Sequence, residues 1–349
     1  MAHSTRSSRD SIKSSWRGWD RKHWHIGHWL LESLGVHHVD LDKKVPVHRK
    51  ADMVPCAPEW QFHVWILIHA FVPLAIHQAY IGYFHRNLST IAAYALYSLS
   101  LKAIGVHQLH VLRRVGQRYG FFDGDKHERD GVPDVGVWKT LESLLSAIAF
   151  RPMVATIFAY RVDQGPLSIQ WMWLPFTIAA YAIILDFWYY WYHRLMHENI
   201  RLWRFHRTHH LTKHPNPLLA GYADTVQETF DIMVILLMAF GSMNLLGFPI
   251  TFYDWWICQQ YVIFTELLGH SGLRVEATAV NPTTRLLRMF DMELVIEDHD
   301  LHHRNGWRRS HNYGKQSRVW DRLFGTTFPR VEGYKEKIDY VNIAKIPLW

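Results

Sequence analysis

Uncharged apolar runs long enough to cross a bilayer alternate along this chain with polar, mostly basic stretches. From Trp60 to His85 there is no Asp, Glu, Lys or Arg, and about 20 apolar residues suffice for a spanning helix. Asn87 to Leu112 follows with one interruption, Lys102, so the two runs predict a transmembrane hairpin. Arg113 to Lys139 is polar, with Arg113, Arg114, Arg118, Lys126 and Arg129 among Gly, Pro and Asp. Thr140 to Tyr160 is apolar but broken by Arg151-Pro152, which leaves a spanning, a kinked and an interfacial helix open. Gln164 to Leu185 is a further spanning candidate. Ile232 to Pro249 and Thr251 to Leu268 form a second apolar pair, with Gly247 and Pro249 at the turn; Asp254 and Glu266 weaken its second arm. The expected fold is all-α and integral to a membrane, with about four to six transmembrane helices and a cytosolic helical cap.

Four segments follow: a basic cytosolic tail (1–58), a transmembrane region (59–185), a catalytic region with a second transmembrane hairpin (186–328) and a C-terminal tail (329–349). The tail carries Arg6, Arg9, Lys13, Arg17, Arg21 and Lys22 without an apolar core, so it is not expected to be a cleavable signal. Its histidines, His23, His25, His28, His37 and His38, read as part of a surface or interfacial segment. Those inside the first apolar arm, His63, His69, His77 and His85, lack any regular spacing and read as packing or channel-lining groups.

The stretch from Asp186 to His210 is different. It holds His193 and His197 at i, i+4, then His206, His209 and His210 at i, i+3, i+4. On a helix each spacing puts the imidazoles on one face. His299, His302 and His303 repeat the second pattern. Eight neutral imidazoles facing one volume describe a two-metal site, and nitrogen ligands without thiolates suit Fe, Zn, Cu or Ni. A straight helix from His193 to His210 would span about 25 Å, too far for cooperating metals, so a break is expected at Glu198-Asn199. Metal-bound histidines give their other N–H to a fixed acceptor. Asp186 and Asp300 are candidates for that role, as are Glu228, Glu266 and Asp298; Glu297 reads as a solvated or capping residue.

Composition narrows the class. Aromatics are 15% of the chain, including 17 Trp, which suits residues at a membrane interface. The net charge of +7 comes with no basic–aromatic array or zinc-finger spacing, so anionic lipid fits better than nucleic acid. Two cysteines, Cys56 and Cys258, exclude a disulfide framework and a Cys-based metal site. Groups of histidines sharing metals must lie on one side of the membrane, which requires an even number of crossings between them; the basic loops put that side in the cytosol.

These residues resemble the fatty acid hydroxylase/sterol desaturase superfamily of membrane non-haem di-iron enzymes. The likeness rests on Asp186, His193-Arg194-Leu195-Met196-His197, His206-Arg207-Thr208-His209-His210, His270-Ser271-Gly272 and His299-Asp300-Leu301-His302-His303. It continues through Asn312-Tyr313-Gly314 and Trp320-Asp321-Arg322-Leu323-Phe324-Gly325-Thr326, covering roughly residues 180–328. Order and spacing most resemble the C-4 methylsterol oxidase and sphingoid-base hydroxylase branch. The resemblance implies two irons held by His193 and His197 (box one), His206, His209 and His210 (box two), His299, His302 and His303 (box three), and His270. It also implies electrons from NAD(P)H through a reductase and a separate cytochrome b5, and residence in the endoplasmic reticulum membrane. Where relatives carry Ala-His-Pro, this chain reads Tyr222-Ala223-Asp224-Thr225; Asp224 or His214 then stands in for the missing histidine, or the site differs.

The expected activity is an O2-dependent hydroxylation or desaturation of an unactivated C–H bond in a sterol, sphingoid, fatty acyl or terpenoid/polyketide substrate. A histidine-lined metal transporter would place its ligands in mid-run, whereas these lie at run ends. A zinc hydrolase or isomerase is the third reading. An apolar tunnel from the membrane is expected near Trp171, Trp173, Tyr181, Phe187 or Tyr190.

Overall fold

A computed structural model describes residues 10–37, 43–122, 124 and 131–349. Arg6, Arg9, His38, Lys126 and Arg129 lie outside the described residues. A short amphipathic helix, α1 (Ile26–Leu34), ends on Gly35 in the left-handed region at φ 69°. The long helices follow as α2 (Glu59–Phe84), α3 (Thr90–Tyr119), α4 (Val137–Ala159) and α5 (Leu174–Glu198). Helix α6 (Ile200–His206) and a 3-10 turn at His209–Leu211 come next. Helix α7 (Thr225–Thr229) runs through a π turn (Phe230–Val234) into α8 (Ile235–Leu245), which returns as α9 (Phe252–Gly269). The cap is completed by α10 (Thr284–Met289), α11 (Ile296–Asn305) and α12 (Val319–Leu323). The named strands are a parallel two-residue pair, Val54–Pro55 with Ile338–Asp339.

Among the described residues, three stretches are long and apolar enough to cross a membrane: Glu59–Phe84, Val137–Ala159 and Thr225–Leu245. Their outward faces support that reading. On α2, Val64, Ile68, Val72 and Ile76 fall at i+4 intervals and are all exposed, an apolar stripe that water would disfavour and lipid would not. The opposite face buries Phe62, Trp65, Ile66, Ala70 and Leu74. Helix α4 continues through Arg151-Pro152 without a break, so the kink left open by the sequence does not end it.

Two boundaries differ from the sequence expectation. The Gln164–Leu185 run becomes a 3-10 turn at Pro166–Ser168 followed by α5, which starts ten residues later and carries the first histidine pair inside itself. Neither α5 nor α9 is among the stretches apolar enough to cross. Asp186, Arg194 and the histidines in one, and Asp254 and Glu266 in the other, lower their mean hydropathy. Both are packed inside the bundle, α5 against α8, α9 and α6, and α2 against α9, where a helix can cross the bilayer without an apolar face turned to lipid. Two histidines of the first apolar arm are packing groups: His69 bonds the Trp65 carbonyl at 2.7 Å and stacks on its ring, and His77 sits between Asn87 Oδ1 and Tyr97 OH; His85 is exposed at the end of α2.

The break after box one falls where length required it. Helix α5 ends at Glu198, and the Asn199 side chain accepts from Arg201 N at 2.9 Å to start α6. Replacing Asn199 by Ala should cost about 1 kcal/mol of stability through the lost cap, seen as a lower thermal midpoint in detergent; an unchanged midpoint would mean packing alone sets this turn.

Candidate metal centre

Nine buried histidines converge in two adjoining groups. His193, His197, His206, His210 and His302 offer ligand atoms all within 4.8 Å of one another, and His209, His270, His299 and His303 form a second group by the same measure. Helix α5 supplies the first pair. The α6 end and its following turn supply His206, His209 and His210, the C-terminus of α9 supplies His270, and α11 supplies the last three. Adjacency in sequence splits between groups, because neighbouring residues at a helix end point to different sides. The rings of His210 and His303, one from each group, stack with centroids 4.6 Å apart.

The hydrogen bonds on the far side of each ring decide what the near side is for. His193 Nδ1 donates to the Tyr313 carbonyl at 2.7 Å, His197 Nδ1 to Trp307 O at 2.7 Å and His302 Nδ1 to His311 O at 2.6 Å. His270 Nδ1 donates to Glu266 O at 2.8 Å, His303 Nδ1 to Thr212 O at 3.1 Å and His206 Nδ1 to Gln227 Oε1 at 2.9 Å. A carbonyl only accepts, so the proton of each neutral ring is on Nδ1 and Nε2 carries a bare lone pair.

The Nε2 atoms of neighbouring rings face one another, lone pair to lone pair for His193 and His206. His193 Nε2 lies 3.0 Å from His206 Nε2, His302 Nε2 3.1 Å from His210 Nε2, and His299 Nε2 3.0 Å from His270 Nε2. Between the lone pairs of His193 and His206 this is repulsion. Around a cation with metal–nitrogen bonds of about 2.1 Å, it is the spacing of neighbouring ligands at right angles. His197 Nε2 and His303 Nε2 are buried with no hydrogen-bond partner, as ligands awaiting an ion would be. Burial holds the ring pKa values down, to about 4 for His206 and for His270, and well below the ordinary value for His209, His210, His299, His302 and His303. All of these imidazoles are therefore neutral at pH 7 and able to ligate.

The segment after α11 exists to hold the rings. Trp307, His311 and Tyr313 give three of the six acceptors through backbone carbonyls. Asp321 fixes their loop by accepting from Tyr313 N and Gly314 N, each at 2.8 Å, and from Thr326 Oγ1 at 2.6 Å. Asp186 fixes the next three residues, accepting from Lys315 N, Gln316 N and Ser317 N and from the Ser317 hydroxyl. Asn312 adopts φ 50°, a left-handed conformation Asn tolerates, and ties Asp298 O to Phe328 N. Asp186 thus anchors the acceptor loop and contacts no imidazole. Asp300 pairs with Arg304 at 2.5 Å. Glu297, expected to be solvated or capping, is buried and accepts from the backbone of Val331, Glu332 and Gly333.

Asp224 and His214 stand outside both groups. Asp224 caps α7, accepting from Val226 N at 3.1 Å, and faces Lys139. The residue from this region that reaches the centre is Gln227, which the sequence reading missed. Its amide oxygen holds His206, and no local spacing marks it.

A cavity lies beside the centre, but not where the aromatics suggested. It encloses about 130 Å³ and is walled by α3, α4, α9 and the π turn before α8 through residues such as Leu109, Leu144, Ile148, Ile232 and Leu267. That volume holds a group about the size of a benzene ring, so a longer ligand extends out through the mouth. Trp171 and Trp173 instead lie exposed at 54% and 53%. Tyr181 takes a hydrogen bond from Trp255, Tyr190 stacks on Phe324 and Phe187 packs on Trp320. These rings pack helices together.

Residues 178–326 match the family model described as fatty acid hydroxylase. The chain is 40% identical over 316 residues to a fatty acid hydroxylase of a Lecanicillium species, covering 86% of this chain and 85% of that protein. It is 30% identical to alkylglycerol monooxygenase of Xenopus tropicalis over 57% of this chain and 40% of the relative, and 26% identical to methylsterol monooxygenase 1 of Rattus norvegicus over 58% and 66%. No solved structure matches. A helical membrane bundle with two histidine groups defines a class of membrane oxidoreductase. The chain belongs to the fatty acid hydroxylase/sterol desaturase superfamily, whose members among its relatives are lipid-modifying hydroxylases and monooxygenases.

Replacing Gln227 by Leu removes the His206 acceptor and leaves its ring free to turn. Metal affinity should fall about 10- to 100-fold, read by competition with a chelator, while membrane insertion is unchanged. Retention equal to the parent would show that Gln227 does not hold the ring.

Proposed function

We propose that this chain is an O2-dependent, two-iron hydroxylase acting on a C–H bond of a lipid-like substrate. The observation that carries this reading is the pair of all-imidazole groups, five and four ligands strong, beside an apolar cavity. Zinc centres take four ligands, or three with an open position; five nitrogens around one ion suit a six-coordinate metal with a place left for a small molecule. The nine histidines would hold the ions, and iron so bound supplies the capacity to activate O2.

The protein's own part is positioning and exclusion. The carbonyls of Tyr313, Trp307, His311, Glu266 and Thr212 orient the rings, so that reduced metal is held without rearrangement. Burial of every one of these histidines keeps water from the oxidant. The cavity presents an apolar body to the side of the centre covered by Gln227 and Glu266. Electrons would arrive from NAD(P)H through a reductase and cytochrome b5 as separate proteins. We place the chain in the endoplasmic reticulum with its N-terminus, histidines and C-terminus in the cytosol, a reading supported by the basic flanks of the first hairpin. Tag accessibility that put the C-terminus in the lumen would contradict it.

Single replacements of His193, His197, His206, His209, His210, His299, His302 or His303 by Ala should each abolish product formation and leave membrane insertion intact. His23 to Ala should be silent. In cells supplied with 18-O oxygen, a labelled hydroxylated lipid should appear with the parent chain and vanish with each variant. Turnover persisting in several variants would defeat the shared-centre reading; an unlabelled product would point to hydrolysis, and an alkene without label to desaturation.

A further inference from the structure

The cavity is apolar along most of its length and ionic at one end. Leu34, Lys102 and Val106 line both the cavity and a neighbouring open depression, which marks the mouth. At the inner end stand Arg151, Glu228, Asp231 and Glu266. Arg151 and Lys315 both pair with Glu266, each at 3.0 Å, so one carboxylate answers two cations. Glu228 and Asp231 have no ion pair among the described residues.

Charges in such a place are costly unless they serve a ligand or a partner. Asp231 lies within the π turn that joins α7 to α8. A π turn admits one extra residue to the helix and re-aims those around it. Asp231 lines the cavity, and its Oδ1 is buried without a hydrogen-bond partner. Its carboxylate meets the Gln227 side chain, which in turn holds His206. Glu228 meets the Ser143 hydroxyl from α4. Three carboxylates stand against two cations at this end, facing an apolar space beside Glu266, whose carbonyl holds His270.

We propose that the cavity takes an apolar ligand whose inner end carries an O–H or N–H donor held by Glu228 and Asp231, and that it excludes an anionic group from that end. The inference rests on the reading of this cavity as the substrate site. A lipid acid would have to enter with its hydrocarbon end first and leave its carboxylate at the mouth, near Lys102. The single cation interrupting the second apolar run then has a use.

The test compares dodecylamine, 1-dodecanol and dodecanoate as competitors of an alkyl photo-crosslinking probe on the purified, metal-loaded full chain in detergent at pH 7.5. The amine and the alcohol should compete at least tenfold better than the carboxylate. In a double variant, Glu228→Gln with Asp231→Asn, the amine should lose its advantage over the carboxylate. Ile148→Trp, which fills the cavity, should weaken all three. Equal competition by the carboxylate in the parent chain would overturn the proposal, with no variant needed, as would a preference that survives the double variant. Binding is read without turnover. A chain that shows the preference yet hydroxylates no lipid keeps the inference and loses the proposed function; one that hydroxylates without the preference does the reverse.

Discussion

Everything in the cap answers to one constraint: nine imidazoles are buried in contact, and they must stay neutral with their lone pairs inward. A buried histidine that keeps its proton in the wrong place either repels its neighbours or leaves a donor unsatisfied, at about 1–3 kcal/mol each. The structure meets this by fixing Nδ1 of six rings against rigid acceptors, five of them backbone carbonyls. Fixed carbonyls need fixed loops, and loops in this position need anchors. Asp186 and Asp321 supply them, which is why two carboxylates that touch no histidine are wholly buried beside the centre.

The same constraint shapes the helices. Box one must end α5 and box two must begin afresh, since a continuous helix would separate them by several turns. Asn199 makes the break by capping α6. Charged groups elsewhere in the cap secure α11, the carrier of box three: Arg330 spans Glu293 and Asp298, and Arg274 pairs with Glu332 in the interior. Buried pairs of this sort add little net stability but are costly to break. Their contribution is to set α11 in one place.

Much of this was legible in the sequence because helical spacing is a geometric statement. The i, i+3 and i+4 offsets of the histidines, with the length limit on a straight helix, were enough to foresee that eight rings converge and that the chain turns at Asn199; His270 came from the family resemblance, and the division into two groups was not legible. The acceptors were not legible. Trp307, His311 and Tyr313 act through carbonyls, which every residue has, and Gln227 acts from a turn whose register only the fold reveals. The tunnel failed for a related reason. Aromatic residues near the histidines looked like cavity walls, yet Tyr181, Phe187 and Tyr190 are spent on packing, and the space opens between α3 and α4, whose small and aliphatic residues carry no such signal. The π turn that aims Asp231 could not be read from composition at all.

The central claim is that two irons are bound by nitrogen alone, five ligands to one and four to the other. Mössbauer spectroscopy of 57Fe-loaded, reduced protein, with metal content measured on the same sample, tests it most directly. The account predicts two irons per chain, high-spin and ferrous, in two resolvable nitrogen-rich environments. A single iron per chain, or a chain fully occupied by zinc that takes up no iron, would contradict it.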